Sequence, residues 1–127
     1  MYEHTISRTA IYILAFVMLA FGVYHFLHPK NLMVYVPSYI PGGLVWVYIV
    51  GIAFILAAIA FIINRQARLA GYLLAALLFI FVLTIHLPNF MNAGDAEMRQ
   101  LALVALLKDT ALAAFALHIG ANAKTVE

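Results

Sequence analysis

The sequence predicts an all-α integral membrane protein, a four-helix bundle with a short interfacial segment between the first two helices. Three observations carry this: 67% of the 127 residues are hydrophobic, only 9% are charged, and the apolar residues gather in four runs parted by short clusters of charge, proline and glycine. Soluble domains run near half apolar and a quarter charged, and a chain this short encloses too little volume to hide so much apolar surface from water. That surface must face lipid, and the length allows one compact transmembrane domain over residues 1–127.

Between Arg8 and Lys30 no residue carries a formal charge, and Ala10 to Leu27 is almost wholly apolar. The run is close to the roughly 20 residues that cross a bilayer core, which predicts a first helix over residues 8–28. It reads as a retained helix because no small-residue cleavage site leads from it into a polar domain. His28-Pro29-Lys30 ends it, since proline lacks the next backbone donor and disfavours helix in the residue before it. Asn31 to Gly43 holds Tyr35, Pro37, Tyr39, Pro41 and Gly42, a composition that suits a segment lying along the membrane surface.

The second helix, over 44–63, opens with Trp46 and Tyr48, whose amphipathic rings favour the headgroup level. Asn64, Arg65, Gln66 and Arg68 form a connection so short that the third helix, 69–87, must return antiparallel, with Pro88 marking its end. Asn89 to Ala96 is a polar loop. Asp95 and Glu97 put negative charge at the amino end of a fourth helix, 97–119, which stops before Gly120. Four crossings place both termini on one side. Arg8, Arg65, Arg68 and Lys124 flank that side against Lys30 and Arg99 on the other, which predicts cytoplasmic termini.

Lipid tails are as apolar as leucine, so helices in a membrane associate by close approach of small residues. Ala102, Ala105, Asp109, Ala113, Ala116 and Gly120 recur at helical spacing in the fourth helix. Asp109 is the charged member of that predicted packing face. Ala53, Ala57, Ala60 and Asn64, then Gly71 and Ala75, then Ala15 and Gly22 offer facing seams on the other helices.

Cysteine is absent, which removes disulfides, thiolate metal sites and thiol redox chemistry. The net charge of +2 is scattered, so no basic cluster exists to neutralise several phosphates, and nucleic acid is excluded as a partner. No phosphate loop, serine elbow or paired carboxylate is present, which argues against an autonomous hydrolase.

Chemistry is left to a few residues. Lys108 and Asp109 lie about ten residues inside the fourth helix, or roughly 12 to 15 Å from its entrance, where ionisable groups mark a site, a pathway or an internal ion pair. Adjacent residues point about 100° apart, so Lys108 is expected to snorkel outward while Asp109 stays in the bundle. His25 and His86 close the first and third helices on the side opposite the termini and share a depth, so they are expected to meet or to share a ligand. Two such histidines are the minimum for axial haem ligation, and His28 adds an imidazole near His25, but no metal-ligand spacing is present. Haem and metal are therefore weaker readings than hydrogen-bonded interfacial histidines. His4 and His118 have no evident partner and read as solvated.

The string Gly22-Val23-Tyr24-His25-Phe26-Leu27-His28-Pro29, followed by Val36-Pro37, Ile40-Pro41 and Val47-Tyr48-Ile49-Val50-Gly51, resembles the DoxX-like family of small bacterial membrane proteins. Arg65 and Arg68, Leu87-Pro88-Asn89 and Lys108-Asp109 extend the likeness over nearly the whole chain. The resemblance implies a four-helix membrane fold and a link to quinone-coupled oxidoreductases or oxidative-stress complexes, and it adds Asn89 to the candidate ligand-binding residues. Two departures stand out: Phe54 occupies a position where many relatives carry an acidic residue, and their aromatic-Pro-Ala-Asn turn is shortened to Pro88-Asn89.

Together these features predict an accessory membrane subunit of a redox system, non-catalytic by itself, binding a quinone or similar apolar molecule beside His25, His86, Lys108, Asp109 and Asn89. Its partners would be membrane lipids and a redox protein, with the oligomeric state open. The alternatives are a lipid-binding or transport-like protein and a structural partner of another membrane protein.

Overall fold

A computed structural model of the chain describes residues 2–33 and 41–123. They form helices α1 (Tyr2–Leu27), α2 (Pro29–Met33), α3 (Gly43–Ile63), α4 (Ala67–Phe81), α5 (Leu87–Met91) and α6 (Ala96–Asn122), with a π-helical turn, Val82–His86, joining α4 to α5. No strand occurs among the described residues. Four stretches are long and apolar enough to cross a membrane, Thr5–Leu27, Gly43–Ile63, Ala67–Met91 and Ala96–Asn122. The all-α, multi-pass membrane architecture expected from composition is what the chain adopts. The membrane face opposite the termini is called distal below.

Several boundaries differ from expectation, each for a physical reason. His28-Pro29 interrupts the first helix without ending helical structure, because proline is well suited to a first helical turn and α2 restarts on it. Of the segment expected along the membrane surface, Pro29–Met33 is helical, and residues 34–40, with Tyr35, Pro37 and Tyr39, lie outside the described residues. Pro88 does not stop the third crossing: the chain continues helically to Met91. Gly120 does not stop the fourth, which runs on to Asn122.

Between α3 and α4 the turn is made by Asn64 and Gln66 at φ 56° and 55°, a left-handed conformation that asparagine tolerates better than most residues. The Arg65 N–H closes this turn on the Ala60 carbonyl at 3.1 Å. Asp95 caps α6, its side chain accepting from the Met98 N–H at 2.8 Å, with Glu97 in the first turn where the helix dipole favours an anion.

The bundle is built from two hairpins. α1 packs along α3 and α4 along α6, while α3 and α4 meet over a smaller contact. Close backbone approach makes each pair: a Cβ on Gly22 would lie 2.9 Å from the Gly51 carbonyl oxygen, and one on Gly71 would lie 2.6 Å from the Gly120 nitrogen. The hairpins follow one pattern. Leu14, Ala15 and Met18 are buried in α1, and Leu74, Ala75 and Leu78 hold the same spacing in α4. Val47, Gly51, Phe54, Ala57 and Ala58 are buried in α3, and Asp109, Ala113, Ala116, Ile119 and Gly120 repeat that spacing in α6.

Even the anchoring arginines correspond. Arg8 donates to the Phe61 carbonyl at 2.6 Å and lies 4.8 Å from the Tyr12 ring. Arg68 donates to the Ala123 carbonyl at 3.3 Å and lies 5.7 Å from the Tyr72 ring. Each guanidinium thus satisfies an orphan carbonyl at the carboxyl end of its partner helix, where the dipole favours positive charge.

The predicted small-residue face of α6 is correct: Ala113 and Ala116 are fully buried, and Ala102 and Asp109 nearly so. On α3 the expected seam through Ala53, Ala57, Ala60 and Asn64 is only partly right. Asn64 is exposed, and the buried face turns through Phe54, Ala57, Ala58 and Phe61, because large rings fill the space between the hairpins that alanines would leave empty.

Candidate binding site

The third crossing changes its winding before Pro88. Proline lacks an N–H and its ring clashes with the carbonyl four residues back, here that of Thr84. The chain widens instead, and the Leu87 N–H donates to the carbonyl of Val82, five residues back. Such a π turn adds a residue to the helical circuit and re-aims the side chains around it. His86 ends the turn with its ring against α6: Nε2 lies 2.7 Å from Oδ2 of Asp109, and the two side chains are 15% and 10% exposed.

Asp109 is the one polar residue among the buried described residues. Its other oxygen, Oδ1, is 3.8 Å from Nζ of Lys108, whose side chain is 49% exposed. The division expected from helical geometry holds, with the carboxylate inside and the ammonium outside. The ammonium lies 4.8 Å from the centroid of the Phe21 ring on α1, within cation–π range.

Phe21 also serves His25, accepting from its Nδ1 through the backbone carbonyl at 2.6 Å. A carbonyl can only accept, so Nδ1 carries the hydrogen and the neutral ring keeps a lone pair on Nε2. Edge-on, the His25 ring meets Phe54, with centroids 5.3 Å apart. Phe54 in turn lies 6.5 Å from Phe21 and 6.3 Å from Phe81. The two histidines therefore belong to one cluster with separate partners, His25 on Phe21 and His86 on Asp109. The position where the resemblance led one to look for an acid holds the aromatic centre of the cluster.

Asn89 is half-buried on α5, three residues past His86. His28 packs on Tyr24 with ring centroids 4.8 Å apart, apart from the cluster. No three His, Cys, Asp or Glu side chains come together to hold a metal among the described residues. His118, expected to stand alone in solvent, has Nδ2 of Asn122 3.3 Å from its ring, and that amide also donates to its carbonyl at 2.8 Å. The side chain of His4 lies outside the described residues.

Sequence reasoning missed Phe21, Phe54 and Phe81. Phe54 had a signal, its spacing from Gly51 and Ala58, whereas nothing in a run of apolar residues sets the other two apart. Toward the termini the core turns dry: Leu14, Met18, Leu78, Phe61, Ala113 and Ala116 are each at most 4% exposed. An apolar recess of about 260 Å³ lies between α3 and α4, lined by Ala53, Leu56, Ala57, Leu73 and Leu77 among others, and it includes none of the cluster residues.

What the cluster offers is an ammonium with donors to spare, two imidazoles each with a nitrogen free of the contacts above, a buried carboxylate, and aromatic walls. Such a set suits a flat or apolar molecule with hydrogen-bonding oxygens. A family model described as a domain of unknown function (DUF8561) matches residues 14–120, a span that contains every residue of the cluster. Comparison with curated proteins and with solved structures gives no match.

Proposed function

The chain belongs to the DUF8561 family, and we propose that it is an accessory membrane subunit of a redox system, holding a quinone or a similar apolar molecule in the distal half of the bilayer. The observation that carries this reading is the His86–Asp109 pair at 2.7 Å, set beside a half-exposed lysine and a phenylalanine cluster inside spanning helices. Ionisable groups at membrane depth are costly, and those that remain mark functional sites by default. Lys108 would donate to a carbonyl oxygen of the ligand, His25 Nε2 would accept from a hydroxyl, and the phenylalanines would contact a ring. Electron transfer would belong to a partner protein, because the chain lacks the cysteines that thiol redox chemistry needs.

The resemblance to DoxX-like proteins points the same way, through the motifs around His25, Asn89 and Lys108. The bias of Arg8, Arg65 and Arg68 over Lys30 and Arg99 favours cytoplasmic termini, and the resemblance favours a bacterial inner membrane. Binding is favoured over transport because the core between the cluster and the termini is apolar and closely filled, whereas a translocation path needs polar groups along its length.

The test is binding of a decyl-tailed benzoquinone to the purified protein in nanodiscs, read by quenching of the single tryptophan, Trp46, with mass analysis of copurified lipids alongside. Lys108→Met removes a hydrogen bond to a charged donor, worth about 1.5–3 kcal/mol, and should weaken binding about 10- to 100-fold. No binding, or binding indifferent to both Lys108→Met and His86→Phe, would overturn the reading.

A further inference from the structure

Lys108 stands where a lysine is hard to keep. It lies twelve residues past Ala96, roughly 18 Å along α6 at about 1.5 Å per residue, yet its side chain is half exposed. Its ammonium faces α1, over the ring of Phe21. These two helices scarcely pack on one another, since α1 runs along α3 and α6 along α4. At this level the space between them is bridged by one cation over one aromatic face, and with Lys108 half exposed it forms a cleft accessible from outside the bundle. Toward the termini the cleft meets the filled core of Leu14, Met18, Ala113 and Ala116.

We infer that the ligand is an amphiphile that enters sideways from the distal half of the bilayer, through the cleft between α1 and α6, with its head on Lys108 and its tail left among the lipids. The inference rests on the binding function proposed above and adds the route and the shape of the molecule. An ammonium supplies only donors, so the head must bring acceptor oxygens. Asp109 at 3.8 Å engages one side of the ammonium, and a lipid-borne carbonyl arriving through the cleft would take a donor on its exposed side. Asp109 and His86, behind Lys108, fix the depth at which the head stops.

Ala105 tests the route. It is half-buried and, three residues before Lys108, lies on the same side of α6 one turn nearer the distal face. The chain contains no cysteine, so Ala105→Cys can be modified alone, with thiosulfonates carrying a methyl or a bulky aromatic group. Association of the decyl-tailed benzoquinone is followed by stopped-flow quenching of Trp46 in vesicles. The bulky adduct should slow association about tenfold relative to the methyl adduct, as expected when access must wait for a conformational change. Adducts at Leu73→Cys, exposed on α4, should not slow it.

Tyr24→Cys, three residues beyond Phe21 toward the distal face on the same side of α1 and 44% exposed, serves where Ala105→Cys does not fold. Association unchanged by bulky adducts on the cleft, or slowed as much by those at Leu73, overturns the lateral route alone. An unmodified protein that binds no quinone overturns the binding function and the route together.

Discussion

Replacing Asp109 should damage the bundle more than replacing its neighbour Lys108, although both are charged and adjacent. Asp109 accepts from His86 at 2.7 Å and is 7% exposed among small residues. Asp109→Leu leaves the His86 Nε2 donor unpaired at about 1–3 kcal/mol and forces bulk into a filled seam at about 1–3 kcal/mol. Interhelical hydrogen bonds in membranes average only about 0.6 kcal/mol, because the dissociated helices find other partners, which holds the expected loss near the lower end, roughly 2–4 kcal/mol. Asp109→Asn keeps shape and an acceptor and should cost about 0.5–1 kcal/mol.

Lys108→Met retains the stem over Phe21 and removes an ammonium that is half exposed, so its cost should stay below about 1 kcal/mol. The assay is reversible unfolding in mixed micelles, with a double-mutant cycle of Asp109→Ala and His86→Phe expected to give a coupling of about 0.5–2 kcal/mol. A larger loss for Lys108→Met than for Asp109→Leu, or a coupling indistinguishable from zero, would refute the assignment of the two faces of α6.

Inserting an alanine after Leu83, which is exposed within the π turn, should advance the winding by one residue and swing His86 by about 100°. Quinone binding should then fall as far as in His86→Phe while the circular dichroism stays helical. Gly71→Ala places a Cβ 2.6 Å from the Gly120 nitrogen and should cost about 1–3 kcal/mol, whereas Gly94→Ala, with open space around it, should be close to neutral; thermal unfolding in detergent separates them. A membrane-impermeant maleimide applied to intact cells should label Asn92→Cys and spare Gln66→Cys, and the reverse pattern would invert the orientation without altering the fold.

The four crossings were legible because apolar run length is a direct consequence of bilayer thickness, and the Ala102 to Gly120 stripe because small residues at helical spacing have one main use in a membrane. The ends were less legible. Gly120 reads equally as a helix stop and as a contact glycine, and only its neighbour Gly71 decides. Pro88 reads as a stop unless the preceding turn can widen, which no local composition announces.

The His86–Asp109 bond was hidden by depth. His86 lies five residues before the end of α5 and Asp109 thirteen past the start of α6, a mismatch of about 12 Å at the usual rise. They meet because of how the distal segments are arranged, with residues 97–101 of α6 exposed on every side and α5 drawn against α6. Equal depth counted from the loops brought His25 toward His86, or toward a ligand common to both, and left unread the groups each one bonds, the Phe21 carbonyl and Asp109.

The arginine ties have a mechanical consequence. Arg8 fastens α1 to the end of α3, and Arg68 fastens α4 to the end of α6, so each hairpin is a closed unit before it meets the other. A chain cut at the Asn64–Gln66 turn should yield two fragments that insert separately and reassociate when produced together. The groups of the cluster divide between those fragments, Phe21, His25 and Phe54 on the first, Phe81, His86, Lys108 and Asp109 on the second. Neither half carries the whole cluster, and a small rocking of one against the other, about the contact of α3 with α4, would spread or pinch the gap where Lys108 rests on Phe21.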